Sequence, residues 1–410
     1  MSLRSLSTLV GAMLLLLPAA GTADAVLDWN QVALDRLVAA QQPPPAGART
    51  LAMVHVALFD AILATTPGER RFAPYVFRGP AAATASAEAA AAAAARTVLA
   101  RLFPDQLEPI DGAYGAALAK IPEGGAKSAG IALGEAAGGA CLALRADDGA
   151  EAPESYRPRT VAGVYVPTTL PVSSQWPRVK PWILESGAQI RPGPPPALAS
   201  EVWARDYAEV KSLGARADSA RTAAQTEAAR FWTITGPAAW NPVVRALAAA
   251  RPAPLVANAR LFALVNMAAA DALVAVFDAK YAYEFWRPIT AIRNGDGDGN
   301  EATAPDPRWL PLVETPMHPE YPCAHCITAG AVAEVLESEF GKGAVTPIEM
   351  TSPTAPGVTH RWTRLADYVA EVDQARIWGG IHYRNSTEVG EAMGREIGAL
   401  AARKLLASRN

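Results

Sequence analysis

The stretch ARTLAMVHVALFDAI at residues 48–62 recurs without gaps as ARLFALVNMAAADAL at residues 259–273. Seven of the fifteen positions are identical, including an arginine near the start and an aspartate near the end. Both stretches are rich in alanine, which favours helix. Two readings remain: a chance match between alanine-rich helices, or two related helical bundles of which only the second carries chemistry. In the second reading His55, which aligns with Asn266, is a structural residue.

The composition is that of a folded globular protein. The chain has 410 residues, of which 50% are hydrophobic and 19% are charged, with a formal net charge of -3. These values argue against a disordered chain and against a nucleic-acid-binding protein. The length allows one large domain or two. Abundant alanine with modest β-branched and aromatic content favours an all-α fold.

The N-terminus has the pattern of a secretory signal peptide. Arg4 supplies a positive charge, residues 9–17 form an apolar run, and Ala23-Asp24-Ala25 is a cleavage site of the A-x-A kind. The alternative is an uncleaved membrane anchor, for which the apolar run is short. We therefore expect residues 1–25 to be removed and the mature protein to be soluble, in the periplasm or secreted. No later stretch is expected to span a membrane.

The mature chain divides into two predicted helical halves. Residues 26–150 form the N-terminal half, residues 151–197 a proline-rich extended connection, and residues 198–410 a C-terminal half that carries the chemistry. Helices are expected at residues 27–64, with an interruption at three prolines, and at 81–103, 130–145, 199–213, 219–231, 254–283, 323–340, 362–378 and 387–406.

Two cations lie near the end of the predicted helix 254–283. Lys280 and Arg287 are seven residues apart, which on a continuous helix places them two turns apart on nearly the same face. Pro288 is expected to end that helix. A solvated basic face is the usual meaning of such a pair. The surrounding residues, YAYEFW at 281–286, argue for a less polar setting.

Two further stretches add imidazoles. PCAHC at residues 322–326 begins a predicted helix, whose first N–H groups are oriented donors for an anion that His325 can also reach. Arg376 and His382 are six residues apart, and Gly379-Gly380 between them allows the helix to break. Taken alone, a histidine at a helix start is more often a surface residue. Together the stretches supply three cations and two imidazoles, as a bound phosphate or vanadate requires.

In order and spacing, these stretches resemble the vanadium-dependent haloperoxidases and the acid phosphatases that share their fold, and the chain looks like a bacterial haloperoxidase-type member. The family pattern is Lys-x6-Arg-Pro, then Pro-Ser-Gly-His, then Ser-Arg-x5-His-x3-Asp. The resemblance implies an all-α fold of two packed four-helix bundles, and vanadate as the cofactor. His382 would bond vanadium or, in a phosphatase, attack phosphorus. Lys280, Arg287 and Arg376 would neutralise the equatorial oxygens, and His325 would be the acid–base group.

The sequence departs from the family pattern at the centre of this pocket. Cys323-Ala324 stands where the family has Ser-Gly, so a weak thiol donor replaces a hydroxyl and the backbone at Ala324 must be conventional. Ala375 replaces the serine before the arginine. Ser386 replaces the aspartate four residues after the second histidine, and a hydroxyl supports that histidine less well. These departures bear on the activity more than on the architecture.

Cys323 and Cys326 flank His325 as Cys-x-x-Cys, with Cys141 left over. Export favours a disulfide between them, and reduced thiols lining the pocket are the main alternative. Zinc held together with His325 or His318 is a weaker alternative, because no second metal-spaced pair exists. A thioredoxin-like redox role lacks its βαβ context.

Three functions remain open on the sequence alone. The first is an exported haloperoxidase that oxidises halide with hydrogen peroxide. His318, five residues before Cys323, resembles the histidine near that position in bromide-oxidising members and favours bromide or iodide. The second is a phosphatase that acts on phosphate esters through a phosphohistidine at His382. The third is a non-catalytic, thiol-binding or metal-binding relative. Nucleic acid is not an expected partner, and the oligomeric state is left open.

Overall fold

The computed structural model describes residues 24–69, 71–167 and 169–406. The predicted signal segment lies almost wholly outside these residues, so its cleavage stays a prediction. The first described helix begins at Ala25 and is capped by the Asp24 carboxylate, which accepts two backbone N–H groups of the first turn. This helix therefore begins where the signal segment is expected to end.

Within the described residues the protein has thirteen α-helices and one antiparallel hairpin. The elements are α1 (Ala25–Ala39), α2 (Pro44–Ala64), α3 (Ala87–Leu102), α4 (Leu107–Ala119), α5 (Gly125–Leu144), α6 (Glu201–Leu213), α7 (Ala223–Phe231), α8 (Asn241–Ala250), α9 (Leu255–Tyr283), α10 (Pro288–Arg293), α11 (Ala324–Phe340), β1 (Ile348–Ser352), β2 (Ala355–Trp362), α12 (Leu365–Trp378) and α13 (Arg384–Leu406). In the hairpin, Ile348 pairs with Trp362 and Thr351 with Thr359. The predicted all-α fold is confirmed.

The two matching sequence stretches form the central helices α2 and α9, which pack against each other. Asp60 of α2 accepts hydrogen bonds from the successive backbone N–H groups of residues 75–77, at 2.7–2.8 Å. Asp271 of α9 accepts the same three bonds from residues 182–184, at 2.7–2.9 Å. The aligned aspartates thus each fasten a loop to a central helix. This shared role argues for related halves and against a chance match.

Each half also contains a pair of closely packed helices, α3 with α5 and α11 with α13. Glycines recur at every fourth position on the side of α5 that contacts α3 and on the side of α13 that contacts α11. A Cβ atom at Gly134 would lie 2.3 Å from the carbonyl oxygen of Ala90, and one at Gly394 would lie 2.1 Å from that of Ile327. Only glycine allows backbones to approach this closely. The two halves therefore share a three-helix core, α2–α3–α5 and α9–α11–α13.

His55 is a core residue, in agreement with its predicted structural role. Its Nε2 atom lies 2.8 Å from the side-chain amide of Asn30, which also donates to Asn241 at 2.8 Å. The aligned Asn266 accepts from Asn241 at 3.1 Å. Burial, with a contribution from Arg245, lowers the pKa of His55 to about 3. This neutral polar network joins α1, α2, α8 and α9.

Several parts of the fold differ from the sequence-based expectation. Helices α4, α8 and α10 and the hairpin β1–β2 were not predicted, and α12 begins at Leu365 instead of residue 362. Helices α2 and α9 are, by length and composition, long and apolar enough to cross a membrane, although no such stretch was expected. Their most apolar stretches are 89% and 100% buried inside the protein. We therefore attribute their hydrophobicity to their central place in the core.

Candidate active site

The turn after α9 places two of the predicted anion-binding cations. Helix α9 ends at Tyr283, and Glu284 adopts a left-handed conformation with φ of 51°. Arg287 follows in an extended conformation and precedes α10, in which Pro288 is the first residue. The expectation that Lys280 and Arg287 share one helix that Pro288 ends was therefore wrong. Proline lacks a backbone N–H, and the first residue of a helix does not need one.

Both cations are almost completely buried, at 0% and 1% exposure. Lys280 donates to the two backbone carbonyls of residues 319–320, at 2.9 and 2.7 Å. Arg287 donates to the carbonyls of His318 at 3.0 Å and Ile381 at 2.8 Å. Burial lowers the pKa of both groups, that of Arg287 to about 10. The two side chains thus hold the loop before α11 against the turn before α13.

His382 is held in one tautomer. Its Nε2 atom lies 3.2 Å from Nη1 of Arg287, and its Nδ1 atom lies 2.7 Å from Oε1 of Glu320. A guanidinium group can only donate, so Nε2 accepts and Nδ1 carries the proton that it donates to the carboxylate. Burial, with Arg287 and Lys280 nearby, lowers the pKa of His382 well below its usual value. The ring is therefore neutral, with its lone pair on Nε2, which is the form that binds a metal.

Glu320 is the residue that sequence reasoning missed. It is fully buried, and its Oε1 atom also accepts the backbone N–H of Tyr383 at 3.1 Å. Burial raises the pKa of its carboxyl group to about 7, against the effect of Arg287 and Lys280. The predicted partner of the histidine, Ser386, has its hydroxyl 3.4 Å from Nδ1, a longer contact than that of Glu320. The carboxylate that contacts His382 therefore comes from the loop before α11, not from α13. In the sequence, the one feature that points to it is an isolated acidic residue two positions before Pro322.

His325 and Arg376 approach the same point from α11 and α12. The Nε2 atom of His325 lies 3.0 Å from the carbonyl oxygen of Ile234, so Nε2 carries the proton and Nδ1 the lone pair. Burial, with Arg376 nearby, lowers the pKa of His325 to about 3. Arg376 donates through Nη2 to the carbonyl of Trp232, whereas its buried Nε–H has no hydrogen-bond partner within the described residues. Burial and Arg287 lower the pKa of Arg376 to about 9.

A disulfide joins Cys323 and Cys326 at the start of α11. Sγ of Cys323 accepts the backbone N–H of Cys326 at 3.1 Å and so caps the helix. Paired cysteines can neither bind zinc nor donate a hydrogen bond. In the described ranges no group of three or more His, Cys, Asp or Glu side chains is placed to hold a metal ion. Ala324 opens α11 with ordinary helical geometry, and Cys141 is free and buried.

His318 lies beside the guanidinium of Arg287. Its Nδ1 atom is 3.0 Å from Nη2 of Arg287 and 3.2 Å from the carbonyl oxygen of Pro319. The guanidinium can only donate and the carbonyl oxygen can only accept, so the two contacts of Nδ1 favour opposite tautomers. The ring packs against Phe277 at 5.1 Å between centroids. Burial, with Lys280 and Arg287 nearby, lowers the pKa of His318 well below its usual value, so this ring is also neutral.

A cavity of about 820 Å³ opens onto part of this cluster. Of the predicted site residues, the cavity is lined by His318, Ala324, His325, Arg376 and His382. The other predicted site residues do not line it: Lys280, Arg287, Cys323, Cys326 and Ser386. Arg287 instead contacts the cavity-lining His318 and His382, and Lys280 donates to the backbone carbonyls of residues 319–320.

The charges of the site suit an oxyanion. Three buried cations, Lys280, Arg287 and Arg376, belong to the site, and Glu320 is the carboxylate that contacts His382 among the described residues. Buried charge without a counter-charge is costly, so an anion here would be stabilised. The unpaired Nε–H of Arg376 is a donor of the kind that vanadate needs, and the lone pair of His382 Nε2, which accepts from Arg287 here, is a suitable ligand. The residues present therefore fit this group.

Residues 260–410 match the family model of the VCPO second helical-bundle domain. This part of the chain belongs to the vanadium haloperoxidase family. The vanadium chloroperoxidase of Curvularia inaequalis is 31% identical over 142 residues, which cover 28% of this chain and 23% of that protein. The match thus spans about a quarter of the length of the curated relative. The family recognised from the motifs is confirmed.

Solved structures extend the likeness to the whole fold. A bacterial vanadium-dependent iodoperoxidase superposes with a TM-score of 0.76 at 23% identity, covering 93% of this chain and 95% of that chain. An apo-type bacterial vanadium-dependent chloroperoxidase superposes with a TM-score of 0.70 at 17% identity, covering 89% and 93%. At these identities the comparison establishes the vanadium haloperoxidase fold for both halves.

Proposed function

We propose that the protein is a vanadate-dependent haloperoxidase that oxidises bromide or iodide with hydrogen peroxide. The observation that carries the proposal is the neutral His382, whose Nδ1–H is held by Glu320 and whose Nε2 lone pair lies among buried cations. This is a ligand prepared for a metal oxyanion. The family match of residues 260–410 supports the same chemistry.

The side chains divide the work between holding the anion and moving protons. His382 would hold vanadium through Nε2, and Lys280, Arg287 and Arg376 would neutralise the oxygens of the anion. Bound vanadate would supply the Lewis acid that activates hydrogen peroxide towards halide. His325 is neutral, with its lone pair on Nδ1, so it is suited to accept a proton from peroxide and return it to a leaving oxygen.

The preference for bromide or iodide rests on His318. Its ring lines the cavity and is neutral, so it offers one N–H group without a charge near the anion site. Bromide and iodide are also easier to oxidise than chloride.

We also propose that the protein acts outside the cytoplasm, in the periplasm or secreted. A disulfide at Cys323–Cys326 is stable in an oxidising compartment. The same disulfide argues against the thiol-binding or zinc-binding relative. The phosphatase alternative is not favoured, because the family model and the relatives above are all haloperoxidases.

The decisive experiment combines binding and turnover. Vanadate binding to the purified protein is measured by isothermal titration calorimetry, and triiodide formation is followed with iodide and hydrogen peroxide. We expect tight vanadate binding and vanadate-dependent oxidation, both lost in His382→Ala, while Arg384→Ala on the neighbouring turn retains them. Absence of vanadate binding in the wild-type protein would refute the proposal. Hydrolysis of a phosphate ester that vanadate inhibits would instead identify a phosphatase.

A further inference from the structure

We propose that the cavity beside His325 and Arg376 binds a neutral, apolar, electron-rich organic molecule, an aryl alkene or arene, and that the halogen is transferred to it inside the protein. The inference rests on the proposed haloperoxidase function and names the acceptor of its product. It follows from the size, walls and charges of the cavity.

The cavity is larger than halide oxidation requires. Its volume is about 820 Å³. One water occupies about 30 Å³ in the liquid, so an oxyanion, a peroxide and a halide together need on the order of 150–200 Å³. Sites for organic ligands are typically about 300–1,000 Å³. Most of the space is therefore available to a further molecule of organic size.

The walls of the cavity are mainly apolar and come from both halves of the protein. Leu273 and Phe277 of α9 form part of one wall, and Leu312 and Val313 lie on the loop before α11. The prolines at 43–45, at the start of α2, close the side that belongs to the N-terminal half. Walls of this composition favour the burial of an apolar body over a purely hydrated channel.

Few of the described side chains that line the cavity carry a charge. Arg216 and Glu314 are exposed to solvent, and Arg376 belongs to the anion site. The other polar side chains of the lining include neutral hydroxyls such as Thr235 and Thr328. Apart from the anion site, the described lining has no buried charged side chain to pair with a charged ligand, so a neutral molecule fits best.

The chemistry balances with the product of the proposed reaction. Hydrogen peroxide, halide and a proton give hypohalous acid and water. For an alkene, the π electrons form the carbon–halogen bond, the oxygen–halogen bond breaks, and hydroxide adds to the second carbon to give a halohydrin. A bound alkene presents one face to the anion site, so its halohydrin should form with an enantiomeric excess. Hypohalous acid free in solution gives a racemic product.

The test uses the full vanadate-loaded enzyme with indene, bromide and hydrogen peroxide. Enantiomeric excess of the bromohydrin is measured by chiral chromatography, and halide oxidation is measured separately as triiodide formation. We expect an excess with the wild-type enzyme. Leu312→Trp, which fills the cavity from a loop, should abolish the excess while triiodide formation continues. Thr235→Phe, on a different segment of the lining, provides a second filling variant, and the surface variant Leu144→Trp is the matched control.

The outcomes separate the two proposals. A racemic bromohydrin from a wild-type enzyme that makes triiodide would overturn the organic site and leave the haloperoxidase function standing. An enantiomeric excess that persists in both filling variants would place the reaction outside this cavity and also overturn it. Failure of the wild-type enzyme to oxidise halide would refute the proposed function itself, and this inference with it.

Discussion

Replacing Glu320 by glutamine tests the central contact of the site. The variant keeps the size of the side chain but removes its charge, so the Nδ1–H of His382 loses a charged acceptor at 2.7 Å. A hydrogen bond to a charged group contributes about 1.5–3 kcal/mol and a neutral one about 0.5–1.5 kcal/mol. The expected loss is therefore about 1–1.5 kcal/mol, and each 1.4 kcal/mol is tenfold in affinity.

A second effect of Glu320→Gln opposes the first. Loss of a negative charge beside Lys280 and Arg287 makes the pocket more positive and attracts an oxyanion more strongly. Supporting contacts of metal ligands typically contribute about 10–100-fold to metal affinity. We therefore expect vanadate to bind about tenfold more weakly, at the low end of this range.

The pH profile distinguishes this role from a merely structural one. Burial raises the pKa of Glu320 to about 7, so the carboxylate that accepts from His382 is present above pH 7 and lost as the pH falls through it. Vanadate affinity, measured by calorimetry across this range, should weaken below pH 7 in the wild-type protein. After the titration of vanadate itself is subtracted, the affinity of Glu320→Gln should not show this weakening below pH 7.

A rescue experiment makes the reasoning refutable. Ser386 already lies 3.4 Å from Nδ1, and an aspartate there would reach the same proton from the next turn of α13. Adding Ser386→Asp to Glu320→Gln should restore the affinity, whereas Ser386→Ala alone should change it little. A folded Glu320→Gln protein with wild-type affinity and an unchanged pH profile would show that the carboxylate does not position the histidine.

Three further predictions concern the anion site. Arg376→Met should weaken vanadate binding by about 100-fold, or 2.7 kcal/mol, since a charge-assisted hydrogen bond and a buried cation are lost. The control is Arg384→Met, and equal calorimetric affinities of the two variants for vanadate would contradict a role of Arg376 in binding the anion. Because burial and Arg287 lower the pKa of Lys280, an oxyanion should raise that pKa and draw in a proton, so the contribution of Lys280 to the affinity falls as the pH rises through its lowered pKa; calorimetry in two buffers of different ionisation enthalpy should show less proton uptake in Lys280→Met than in the wild-type protein, and equal uptake would refute this. Replacing Cys323 by serine and Cys326 by alanine should lower the free energy of unfolding by about 2 kcal/mol, the loop-closure value for so short a loop; denaturant unfolding measures the change, and an unchanged free energy of unfolding would contradict it.

The sequence predicted the parts of the fold that local pattern controls. Helix α9 was expected to begin within one residue of its observed start, because a long apolar run follows a proline. The path from Lys280 to Arg287 was wrong because a proline can either end a helix or begin one, and seven-residue spacing does not reveal the left-handed turn at Glu284. Glu320 could not be found by spacing, because its contact with His382 joins residues 62 apart in the chain.

The repeat explains why the site occurs in one half. The cores α2–α3–α5 and α9–α11–α13 match in helix packing and in the roles of Asp60 and Asp271. The connections within them do not match. Residues 65–86 join α2 to α3, whereas residues 284–323 join α9 to α11 and are almost twice as long. The longer connection carries Arg287 and Glu320, which fix the tautomer of His382, and His318, which lines the cavity. The repeated helices therefore supply a rigid frame, and the longer connection brings to it the side chains that a metal oxyanion requires.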